Sequence, residues 1–155
     1  MIELAKANAA ISCPVDIAFQ FVSNMENYGS WFPGVRAIKS KNSSAHGSVG
    51  KTYIETLLFP DGEYELTIEV AECETNHLFL TKGDLEGVLP QMTIEFHTQG
   101  ENSCHMNLQY YSRNTHLTQE SDIIVSLRED LAKRALQGMV NLQKILGHEQ
   151  EAKSI

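Results

Sequence analysis

The chain has no apolar run approaching the ~20 residues that a membrane-spanning helix needs, and no block of lysines and arginines. Its basic residues are scattered, with Lys39 and Lys41 in one place and Arg128, Lys133 and Arg134 in another, against a formal net charge of −8. That balance opposes phosphate backbones and anionic bilayers, so nucleic acid and integral membrane association are excluded as expected partners. Cysteine is sparse. Cys13, Cys73 and Cys104 make an odd count with no C-x-x-C, which points to a reduced compartment. Met1 to Lys6 carries neither a basic n-region nor an apolar h-region, so a cytoplasmic protein is expected. Catalytic signatures are also missing: there is no G-x-S-x-G, no H-E-x-x-H and no dinucleotide fingerprint. Ala45 to Thr52 nearly spells a phosphate loop, but Ala45 replaces the first glycine, and a polar loop precedes it where a strand is required.

What is present is 155 residues, 42% hydrophobic and 21% charged, enough for one domain over 1–155 with its own core and no need of metal or cofactor. The last third carries the strongest pattern. Ile124, Leu127, Leu131, Ala135, Gly138, Leu142 and Ile145 recur at three- and four-residue steps, one apolar stripe on a helix expected over Leu117 to Leu146. Thr118 or Ser121 can cap it, Gly147 is the expected stop, and 148–155 is expected to fray.

Before that helix the period is two. Ile2 to Ser12 reads as a first strand, although Ala-Asn-Ala-Ala forms strands weakly. Pro14 opens a short helix over Val15 to Ser23, and a second short helix or turn follows through Met25 to Ser30. From Val35 six strands follow. The clearest alternates Tyr64, Leu66, Ile68 and Val70 with glutamates and a threonine, after a turn at Pro60-Asp61-Gly62. Met92, Ile94 and Phe96, then Cys104, Met106, Leu108 and Tyr110, alternate in the same way. The order predicts an α+β domain: a curved antiparallel sheet of about seven strands around a long C-terminal helix, with two short helices after strand 1.

Four segments carry a family likeness. Ile11-Ser12-Cys13-Pro14-Val15-Asp16-Ile17-Ala18-Phe19, Trp31-Phe32-Pro33-Gly34-Val35, Gly47-Ser48-Val49-Gly50 and Val70-Ala71-Glu72-Cys73-Glu74 resemble the START-like (SRPBCC, Bet v 1-like) superfamily, which includes polyketide cyclase/dehydrase-type proteins. Asn76 departs from the proline usual after the last of these. The resemblance implies a helix-grip fold with an apolar pocket between sheet and helix. It does not select a chemistry, because members include cyclases, hydrolases, lipid and quinone carriers and co-chaperones.

Candidate pocket residues are Phe19, Trp31, Phe32, Tyr53, Leu57, Tyr64, Leu66, Ile68, Met92, Ile94, Phe96, Met106, Leu108, Tyr110, Leu131, Ala135, Gly138 and Met139. The tyrosines would supply hydroxyls that orient a ligand. Trp31 and Phe32 read first as a core plug and second as a gate. Gly138 costs a helix interior ~1 kcal/mol, so close approach of a strand, or room for a ligand, should offset it. Glu55 is a weak catalytic candidate. If Tyr53, Glu55 and Leu57 face inward it is a pocket carboxyl, and if Ile54, Thr56 and Leu58 do, it is a surface charge, the commoner case. His97 and His105 fall on the polar face of one hairpin, near Glu95, and read as surface histidines; metal is not expected.

The leading expectation is a binder or carrier of a small, mainly apolar molecule (lipid, quinone or aromatic, polyketide-like metabolite), monomeric or homodimeric. A cyclase- or dehydratase-like enzyme using the same cavity is the alternative. A co-chaperone-like interaction module is the third.

Overall fold

Alternating apolar residues build seven strands, and the computed structural model, which describes residues 1–59 and 62–154 and the side chains of 1–58 and 62–147, joins them into one antiparallel sheet. The strands are β1 (Ile2–Ile11), β2 (Val35–Ser40), β3 (Thr52–Phe59), β4 (Gly62–Glu74), β5 (Leu78–Gly83), β6 (Pro90–Thr98) and β7 (Cys104–Ser112). Their spatial order is β1-β7-β6-β5-β4-β3-β2, so sequential hairpins fill the sheet and β1 closes it against β7. Helices α1 (Val15–Ser23) and α2 (Tyr28–Trp31), separated by a 3-10 turn at Met25–Asn27, and the long α3 (Asp122–Ser154) complete the α+β plan expected above. Pro60 and Asp61 of the expected turn lie outside the described residues.

Register shifts between Glu3 and Ala5, between Val35 and Ala37, and between Val70 and Glu72 bend the sheet, as bulges do by adding a residue to one strand of a pair. The bend lets one face wrap α3. The weak strand former β1 is explained by its neighbour: Ala5 and Ala9 are buried and small, so α3 can lie close along it. As an edge strand, β1 leaves carbonyls without a ladder partner. Arg128 Nε donates to Glu3 O at 3.1 Å and Gln143 Nε2 to Ala10 O at 3.0 Å, so the helix caps that edge.

α3 differs from expectation at both ends. It begins at Asp122, not Leu117, because Thr118 to Ser121 forms a turn in which the Thr118 N–H donates to Ser121 Oγ at 2.9 Å. Leu117 is apolar because it packs on the core from that turn. At the other end the backbone stays helical through Gly147 to Ser154, so Gly147 is not a stop; it sits over Ser12 Cβ at 4.0 Å for a side chain built there.

Candidate functional site

The space between sheet and helix divides into two halves. Toward the C-terminal half of α3 it is filled. Ala135, Met139, Leu142 and Leu146 are buried there, and Phe19 of α1 meets Phe96 of β6 edge-on at 5.8 Å between ring centres. Ile94, Met106 and Leu108 are wholly buried in the same core, and Trp31 is 1% exposed. Toward the N-terminal half of α3 the space is open. A cavity of about 100 Å³ lies between Leu127, Asp130, Leu131 and Arg134 on the helix and residues of β3 to β7 beneath.

The sequence-predicted residues separate along this line. Phe32, Leu57, Leu66, Ile68, Met92, Tyr110 and Leu131 line the cavity. Phe19, Trp31, Ile94, Phe96, Met106, Leu108, Ala135, Gly138 and Met139 belong to the filled half. Tyr64 lies outside the cavity and is 39% exposed, near the end of its hairpin. Tyr53 is buried away from the cavity, its hydroxyl 2.6 Å from His46 Nδ1 and its ring stacked on the imidazole. His46 thus holds the β2–β3 loop onto the sheet, with Glu26 Oε1 3.7 Å from its other nitrogen.

Trp31 is a plug, and Phe32, next to it, is cavity wall. Gly138 allows a close approach, but to α2 and not to a strand: a Cβ there would meet Trp31 Cε3 at 3.4 Å and Phe32 Cδ1 at 3.5 Å. No ligand space lies at that glycine.

Glu55 points inward, opposite to the commoner case. Burial alternates through β3 so that Tyr53, Glu55 and Leu57 are buried, and Glu55 is 7% exposed on the cavity wall. Its cross-strand neighbours Leu66 and Ile38 are apolar. Removal from water pushes its pKa up to about 7, and the Arg134 guanidinium opposes that rise. No hydrogen bond reaches its carboxyl among the described residues.

Two further groups were missed from sequence. Tyr28 of α2 shares a short hydrogen bond with Tyr110 of β7, and the Tyr110 hydroxyl donates to Met92 Sδ at 3.2 Å. Burial raises the pKa of both phenols, so both stay neutral. Phe32 stacks on Tyr28 at 5.1 Å and 10° between planes. Arg134 spans the rim. Its Nε lies 3.0 Å from Asp130 Oδ2 one turn earlier, its Nη2 reaches Leu58 O at 3.5 Å, and its guanidinium occupies the space a side chain at Gly34 would need. Gly34 has φ +90, so the turn and the arginine both require glycine. Position gave a hint of Arg134, beside Ala135 on the flank of the apolar stripe. Nothing local marked Tyr28 as a partner of Tyr110.

The far wall is a loop, 84–89, tied to the end of β7. Ser112 Oγ donates to Val88 O at 2.5 Å, Arg113 Nη2 to Gly83 O at 2.5 Å and Asn114 Nδ2 to Gly87 O at 2.8 Å. On the outer face His97 lies opposite His105, and the His77 ring meets that of His97 at 6.2 Å. Among the described residues no three His, Cys, Asp or Glu groups are placed to hold a metal ion. No helix among them is long and apolar enough to cross a membrane.

No family profile and no curated protein matches this chain. Its fold does have relatives. A START superfamily protein from Mycobacterium smegmatis superposes with a TM-score of 0.72 at 9% identity, over 94% of this chain and 98% of that one. A polyketide-cyclase-like protein from Corynebacterium glutamicum gives 0.62 at 18% identity, over 97% and 95%. The di-domain ARO/CYC protein BexL gives 0.69 at 12% identity; 92% of this chain is covered but only 45% of BexL, so the chain spans about half of that protein. The curved sheet gripping a terminal helix is therefore the START-like, polyketide-cyclase-like fold.

Proposed function

We propose that this protein binds one small, mainly apolar molecule in the open half of the sheet–helix space, with Glu55 as its polar anchor. One observation carries the reading: the Glu55 side chain, 7% exposed and without a hydrogen-bond partner among the described residues, faces a hollow whose walls are otherwise largely apolar. Its partial removal from water disfavours the charged form, and a ligand group hydrogen-bonded to it would offset that. START superfamily and polyketide-cyclase-like neighbours support the reading at the level of fold. At about 100 Å³ the hollow is smaller than the ~300–1,000 Å³ of drug-sized sites. The occupant is thus of the order of one ring or a short chain, unless the N-terminal half of α3 lifts. The free cysteines fit a reducing, cytoplasmic setting.

A second reading is an enzyme of cyclase or dehydratase type. Its support is the Glu55 pKa of about 7 near two neutral phenols, a value suited to proton transfer. It ranks second because Glu55 bonds to neither phenol. An interaction module would rest on Ile123, Val125, Leu136 and Val140, the large apolar residues that α3 exposes.

Native mass spectrometry of protein purified without denaturation tests the proposal. The expected result is a co-purifying small molecule that is lost from Leu131→Trp, which fills the hollow from the helix side. An empty protein that also fails to take up toluene overturns it.

A further inference from the structure

The polar atoms around the cavity are unequally committed. Tyr28 gives its proton to Tyr110, and Tyr110 gives its own to Met92 Sδ at 3.2 Å, so neither phenol retains a donor for a guest. Arg134 directs Nε to Asp130 and Nη2 to Leu58 O at the rim. The Thr81 hydroxyl, also on the wall, can serve either way. Of the two carboxyls on the wall, Asp130 is paired with Arg134, whereas no hydrogen bond or ion pair among the described residues reaches Glu55, which in its ionised form only accepts. The titratable groups sharing its cavity are Arg134 and Asp130 on α3, Tyr28 on α2 and Tyr110 on β7. A carboxylate guest would add a third anionic group to Glu55 and Asp130 against one guanidinium. An acceptor-only guest would leave the ionised Glu55 unpaired.

We infer that the cavity selects a small neutral molecule bearing a hydroxyl or N–H donor, which it delivers to the Glu55 carboxylate while its apolar body rests against Phe32 and the Tyr28–Tyr110 pair. The inference rests on the binding function proposed above and specifies its ligand class. Linkage gives it a sign. A donor binds the ionised carboxylate best, so its advantage over an isosteric hydrocarbon grows as pH rises through about 7. An acceptor would need the protonated acid, and its advantage would shrink over the same range.

Equilibrium binding of 4-methylphenol, toluene and 4-methylbenzaldehyde to the full chain, at about pH 5.5 and about pH 8.5 (below the phenol's own pKa of about 10), tests this. The expected result is 4-methylphenol about tenfold tighter than toluene at the higher pH, as for a hydrogen bond to a charged group. That margin should narrow at the lower pH and vanish in Glu55→Leu, where the phenol and toluene should bind alike. Toluene binding as tightly as the phenol overturns the donor assignment and the Glu55 anchor, the aldehyde binding tightest overturns the donor assignment alone, and either result leaves standing the binding of an apolar molecule in the cavity. Failure of all three probes overturns both.

Discussion

The two halves of α3 rest on the same sheet, yet one closes over a packed core and the other over a hollow. The C-terminal half presents Ala135, Gly138, Met139, Leu142 and Leu146, all buried. Its glycine lets Trp31 and Phe32 approach to ordinary contact distance. The N-terminal half buries Ile124 fully but leaves Leu127 and Leu131 only partly covered, with Arg134 and Asp130 at the rim. The sheet contributes to the difference. Under the C-terminal half stand Phe96, Met106 and Leu108, reinforced by α1. Under the N-terminal half, Leu57, Leu66, Ile68 and Met92 border the hollow together with the polar groups of Glu55, Thr81 and Tyr110. The contrast shows how one amphipathic stripe can close over a packed core along part of its length and leave a hollow along the rest.

Truncation of the plug has the largest expected effect. Trp31→Ala should cost about 3–5 kcal/mol in chemical denaturation, because it opens a void in the filled half; a loss below 1 kcal/mol would mean that half is not close-packed. Next comes the pH dependence of the open half. Glu55 has its pKa raised from 4.5 to about 7, so the unfolded chain releases this proton first. Its contribution to stability is therefore unperturbed below about pH 4.5, falls as pH rises to about 7, and stays lower above, by about 3 kcal/mol in all. Urea midpoints of Glu55→Gln should lack that decline, and parallel pH curves for the variant and the native chain would count against a desolvated carboxyl.

A smaller effect compares like with like on one helix. Leu142→Ala in the filled half should cost about 2–5 kcal/mol, whereas Leu131→Ala, bordering existing space, should cost about 1–2 kcal/mol. Equal losses would erase the distinction between the halves. The smallest is a gain. Gly138→Ala adds a Cβ at ordinary contact distance from Trp31, so thermal melts should show stabilisation by about 0.5–1 kcal/mol from helix propensity; destabilisation would show the fit to be tighter than those distances imply.

The strand and helix order was legible because each element repeats its apolar residues at its own period. Leu66, Ile68 and Val70 on β4, or Leu142 and Ile145 on α3, need no distant information. Start and stop signals were weaker: Leu117 belonged to a turn and Gly147 to helix, since an apolar residue or a glycine reports burial or close packing as readily as an element end. At the site, several of the expected wall residues do line the cavity. The others are equally apolar and inward-facing, and hydrophobicity alone cannot separate a packed residue from one beside a void. Glu55 was ambiguous because alternation in β3 admits two facings with apolar residues on both.

Local periodicity, charge balance and residue types were enough to establish an antiparallel sheet gripping a long helix, and they disfavoured nucleic acid as a partner. Tertiary structure decided where that grip closes and where it stays open. It also brought Tyr28 to Tyr110 and placed Arg134 over Gly34, pairs separated by 82 and 100 residues in the chain. Such meetings depend on how far the sheet bends and where bulges shift its register, which are properties of the whole packed chain and leave no repeat in the sequence.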